Sequence, residues 1–145
     1  MKFALIFLSI VFMGLIALWN WDFTEKVVIL DSDKVTILVN KWKYDNKQQP
    51  YKRNEILCNL ALTRSEEIKT DWSHDGFSNK DLGNTYQAKF GENLYRTTSG
   101  DNEQTVLNAW LTSPGHRKNL DDKQFTQMCI ACQDEYCVQI FSTSF

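Results

Sequence analysis

The run FALIFLSIVFMGLIALW, residues 3–19, is apolar apart from Ser9 and Gly14 and decides how much chain is left to build a domain. A bilayer takes about 17–25 such residues as one helix. A secretory signal peptide has a shorter apolar region followed by small residues at a cleavage site. Here the exit reads ALWNWDF, with Trp19 and Trp21 where small residues would stand. Amphipathic rings at that place suit a membrane–water interface. The reading is an uncleaved single-pass anchor over residues 1–21, a stem over 22–32 and one domain over 33–145. Secretion after signal cleavage is the alternative. Lys2 before the run, against the mixed charges Asp22, Glu25 and Lys26 after it, puts the amino terminus inside and the domain outside.

The part beyond the stem, roughly 115 residues, is enough for one core. It shows no repeat and no low-complexity tract. A net charge of −2, with no Lys/Arg stripe interleaved with aromatics, excludes a nucleic-acid footprint. Cys58, Cys129, Cys132 and Cys137 are an even set in a chain read as exported, where disulfides persist. Only Cys129 and Cys132 have the two-residue gap of a zinc knuckle, so a paired C-x-x-C metal site is out. A Cys132–Cys137 bridge across the short segment QDEY would leave Cys58 with Cys129. Four cysteines allow three pairings, and four reduced thiols are the further alternative.

Helical periodicity marks three segments. SDKVTILVNKWKYDN places Val35, Leu38, Val39 and Trp42 on one face, with Ser32 or Asp33 as cap. NEILCNLALTRSEEIK does the same with Leu57, Leu60, Ala61 and Ile68. DNEQTVLNAWL opens with Asp101 and Gln104 in capping-box spacing and carries Val106, Leu107, Ala109 and Trp110, with Pro114 and Gly115 as its stop. Period-2 alternation makes YCVQIFSTSF a strand, FTQMCIAC its hairpin partner, and TYQAKFGENLYRT a strand on one or both sides of Gly91. Val27 to Leu30 is a candidate edge strand. Helices with paired strands gathered at the end give an α+β class.

Both histidines sit beside helix-end or turn chemistry. His74 lies in DWSHDGF and His116 in SPGHRKNL, just past the third helix. Taken singly, each is explained as a surface or cap histidine, since imidazole is favoured at a helix carboxyl end. Glu92 in FGENL follows a glycine that permits close approach, and Asn93 can bond nearby backbone.

DWSHDGF, GENL, AWLTSPGHRKNL and the aromatic strand YCVQIF stand in the order and approximate spacing of the CAP superfamily, which the chain resembles. That superfamily includes cysteine-rich secretory, antigen-five and pathogenesis-related proteins. VNKWKYDN and LCNLALTRSEEI look like its first two helices, with Ala61 and Arg64 in matching places. The form W-x-x-S-P-G-H-R-x-N-L is most similar to a short bacterial branch. The resemblance implies an α-β-α sandwich with a cleft lined by two histidines and acidic residues. His74, Glu92 and His116 match three positions of that family's tetrad. The fourth, a glutamate in many eukaryotic members, is Ser113 here. Asp75 or Glu103 are the candidates to replace it in space.

Two neutral imidazoles suit a divalent metal such as zinc, with fewer protein ligands than the three of a typical catalytic site. From that follow two expectations. One is a binding module that presents a cleft with His74, Asp75, Glu92, Asn93, Ser113 and His116 to a lipid, peptide or cell-envelope ligand. Sterol is disfavoured, because a loop the resemblance associates with it has no match here. The other is a metal-dependent, peptidase-like hydrolase with His74 and His116 as ligands and Glu92 as base. A tetrad remnant that merely braces the cleft is the bland third reading. Ser113 as a nucleophile with His116 as base is the weakest, since Ser113 is explained by helix termination before Pro114.

Overall fold

The computed structural model describes residues 28–145; the apolar run and its exit lie outside the described residues. Nine elements follow in the order α1 (Ser32–Asp45), β1 (Lys52–Arg53), α2 (Glu55–Glu67), α3 (Asn79–Tyr86), β2 (Phe90–Arg96), α4 (Glu103–Thr112), α5 (Pro114–Asp121), β3 (Gln127–Gln133) and β4 (Tyr136–Ser142). The strands form one sheet in the order β1-β3-β4-β2, with β1 parallel to β3 and the other pairs antiparallel. Because side chains alternate across a strand, the sheet feeds two cores. Phe90, Leu94, Cys129, Ala131, Val138 and Ile140 pack with Leu57 and Ala61 of α2 and with Ile68 at its C-cap. Met128, Ile130, Cys137 and Phe141 pack with Val35 and Val39 of α1, Val106, Leu107 and Trp110 of α4, and Leu120 of α5. The sheet is thus the middle of an α-β-α sandwich, the architecture the resemblance implies.

Local chemistry explains the element ends and corrects several expectations. α1 is capped by Asp31, whose carboxylate accepts from the Asp33 and Lys34 N–H groups, not by Ser32 or Asp33. α4 is capped by Asn102 in a reciprocal box with Thr105; Asp101 instead accepts from Tyr95 Oη and Thr98 N. Pro114 and Gly115 do end α4, yet Pro114 also starts α5, since proline at N1 gives up only an N–H that has no helical partner. His116 therefore sits in the first turn of a helix and not at a carboxyl end. The ambiguous segment around Gly91 divides cleanly: Thr85 and Tyr86 finish α3, and β2 runs straight through Gly91. Residues 28–30 form no strand; Leu30 is buried in the α1 core.

Two disulfides staple the sandwich. Cys58–Cys129 joins α2 to β3 across a sequence separation of 71, and Cys132–Cys137 crosses the β3–β4 hairpin between directly paired positions. Asp134 in its turn adopts φ 51°, a conformation that aspartate tolerates better than most residues. Trp110 is fully buried and its indole N–H donates to Leu94 O at 3.1 Å, which fixes α4 against β2.

Candidate functional site

β2 is an edge strand, and its neighbours Glu92 and Asn93 point to opposite faces. Asn93 turns to the α4–α5 layer. Its amide donates to His116 O at 3.3 Å and to Gln139 Oε1 at 3.1 Å, and accepts from Asn119 at 2.9 Å. Asn119 also donates to Glu92 O at 3.0 Å. These bonds hold α5, and with it His116, against the strand. Gly91 leaves room beside this contact: a Cβ there would meet the Phe125 ring at 3.0 Å and Asn119 Cγ at 3.4 Å.

Glu92 turns to the α2 layer, where its side chain is 1% exposed. One oxygen accepts from Arg64 Nε at 2.8 Å and the other meets His74 Nδ1 at 2.7 Å. Arg64 is fully engaged as well. It donates to Glu67 Oε2 at 2.6 Å and to Ser73 O at 3.0 Å, the residue before His74. Burial alone would lower the Arg64 pKa, but its bonds to Glu92 and Glu67 outweigh that and raise it. Gly76 lies over this guanidinium so closely that any Cβ would collide with Nη1. The chain Glu67–Arg64–Glu92–His74 is thus a continuous line of charge-assisted bonds, which are shorter and stronger than neutral ones.

The line ends at the two imidazoles. His74 is half exposed, and its ring centre stands 6.2 Å from that of His116 with planes tilted by 60°. Burial, and secondarily the charge of His74, push the His116 pKa down, so that ring stays neutral near pH 7. Among the described residues no group of three or more His, Cys, Asp or Glu is arranged to hold a metal ion. Imidazoles sharing one zinc at about 2.0–2.1 Å have centres about 5–6 Å apart. The observed 6.2 Å lies just beyond that range, and Glu92 occupies Nδ1 of His74, the kind of partner that orients a ligating imidazole. The donor types suit a divalent ion, but the rings as placed do not close on one.

The other expected cleft residues are less engaged. Ser113 links α4 to α5, half-buried, with no side-chain cap bond and none to His116 among the described residues. Asp75 is exposed and its backbone N–H donates to Ser73 Oγ. Glu103 bonds Asp31 N and faces Lys34 at the start of α1, so its carboxylate is committed there. The second acid tied to the site is Glu67, through Arg64.

The profile of the cysteine-rich secretory protein family, CAP, matches residues 36–142. The chain belongs to the CAP family. Among solved structures, this CAP domain is similar to an extracellular protein containing an SCP domain from Bacillus anthracis, at 26% identity and TM-score 0.67. That match covers 78% of this chain and 40% of the other. A cysteine-rich secretory protein from Staphylococcus aureus shares 17% identity and TM-score 0.66 over 78% of this chain and 38% of its own. An outer surface protein from Borrelia burgdorferi shares 14% identity and TM-score 0.65 over 83% of this chain and 100% of its own. The last two are likenesses of fold, and the chain spans well under half the length of the first two proteins. A search among curated proteins finds no match.

Sequence reasoning noted Arg64 in this CAP domain only as a matching position and missed its role. The signal was present. Leu57, Ala61, Arg64 and Ile68 share one helical stripe, and an arginine inside an apolar stripe needs a buried acid.

Proposed function

We propose that the domain is an extracytoplasmic binding module whose cleft presents His74 and His116 to a lipid, peptide or cell-envelope ligand. One observation carries the reading: both oxygens of Glu92 are already bonded, to Arg64 and His74. With both oxygens committed, neither is free to meet a bound water, and the geometry suits holding an imidazole in place. A pocket of about 190 Å³ lined by Leu60, Phe77, Leu82 and Ile140 beside Arg64 adds apolar surface for a ligand. A divalent ion such as zinc would be held by His74 and His116, and when bound it would supply Lewis acidity at the cleft. Location outside the cytoplasm is supported by the two disulfides. The relatives are described as extracellular, secretory and outer-surface proteins, and the apolar run at residues 3–19 serves as the membrane anchor in this reading.

The two histidines are the only ones in the chain, so their imidazole NMR signals report on the cleft directly. Zinc, short-chain phospholipids and envelope-derived peptides are titrated into the full chain and into Glu92→Gln. A cleft ligand shifts both imidazoles, and the glutamine variant, still able to accept from His74, binds within a few-fold. Turnover of a peptide or ester by the wild type, lost in a folded Glu92→Gln protein, would instead establish the hydrolase.

A further inference from the structure

The opposite edge of the sheet, against β1, carries a second concavity. Lys43 and Lys47 at the end of α1, Lys52 of β1 and Lys123 before β3 surround a pocket of about 640 Å³. Gln48 and Phe125 complete its wall, and no Asp or Glu lines it among the described residues. Lys34, Lys41, Lys69 and Lys89 each pair with a carboxylate elsewhere. Among the described residues the four pocket lysines have none within ion-pair distance. In a chain of net charge −2, four unpaired ammonium groups around one hollow are not a by-product of a basic surface.

Lys43 is the telling member. The residue is 2% exposed and its ammonium lies 3.9 Å from the centre of the Tyr51 ring. Its two influential acids are already taken, Asp121 by Arg117 and Asp122 by Lys89. Burial pushes its pKa down. A buried cation without a counter-ion is unfavourable unless something anionic joins it. Beside it, Gln48 Oε1 is buried with no hydrogen-bond donor among the described residues, an acceptor that a hydroxyl can satisfy.

We propose that this pocket binds the phosphate ester of a sugar or polyol, with the lysines meeting the phosphate and Gln48 meeting a hydroxyl. Such an ester reaches the pocket either as a free monoester or as a diester unit of a headgroup or polymer. The site is separate from the histidine cleft and stands or falls independently of it.

Calorimetry on the full chain in a polyoxyethylene detergent, which has neither sugar nor phosphate, tests this. The probes are glucose 6-phosphate as monoester, glycerophosphoglycerol as diester and glucose as neutral reference. One ester should bind saturably at least about tenfold tighter than glucose. Lys52→Glu/Lys123→Glu should weaken it about tenfold or more, while Lys34→Glu at the far end of α1 leaves it within about twofold. Should the double variant fail to fold, Lys123→Gln alone gives about a threefold loss. Monoester preference identifies a free sugar phosphate, and diester preference a headgroup or polymer unit. Neither ester exceeding glucose, or affinity unchanged by the lysine substitutions, overturns the proposal.

Discussion

His116 links one side chain to the pH behaviour of the whole fold. Burial, then the neighbouring His74 charge, hold its pKa below the ordinary 6.5. In the unfolded chain the imidazole titrates near that ordinary value. Between the two the unfolded state binds more protons, so the contribution of His116 to stability is complete above about pH 6.5. It is lost as the pH falls toward the depressed value. Denaturant unfolding at about pH 7.5 and about pH 5.5 should show lower stability at the acid end. His116→Gln should flatten that difference. An equal slope in wild type and variant would mean that the burial of this ring is not felt thermodynamically.

Elements of this fold differ in how firmly they are tied, and the disulfides make the point measurable. Closing a long loop removes more unfolded-state entropy than closing a short one. With its cysteines 71 apart in sequence, Cys58–Cys129 should contribute about 4 kcal/mol, and Cys132–Cys137, five apart, about 2 kcal/mol. Paired Cys→Ala variants, unfolded in denaturant, should show that order; the reverse would mean that local packing outweighs loop entropy. The same elements show what the sequence made legible. α1, α2 and α4 were readable because each commits a regular apolar face to a core. α3 and α5 were not: α5 buries only Leu120, and α3 carries little beyond Leu82 and Tyr86. Their existence rests on Ser78 and Pro114 at their starts and on packing against β2, which periodicity does not register. At the cleft, motif order located His74, Glu92 and His116. The bond from Glu92 to His74 and the seating of α5 beside them depend on Arg64 and Asn119, whose partners are distant in sequence.

Across the whole molecule, β4 is the centre. All seven of its residues are buried and it pairs on both sides, with β2 and β3. Amide exchange should therefore be slowest in β4, proceeding only through global unfolding, and fast in residues 28–30 and the 98–101 turn. Mass-spectrometric exchange on the full chain would show this gradient; uniform protection would contradict a sheet-centred core.

The two margins of the sheet have one further consequence. On one side, α3 and α5 pack against β2. On the other, β1 is only two residues long, and both of them, Lys52 and Arg53, are cationic and exposed. Free backbone along a sheet margin invites another chain to add a strand, and short, charged or covered margins discourage it. A strand added beside β1 would therefore meet two cationic side chains at once, and one added beside β2 would have to displace two helices.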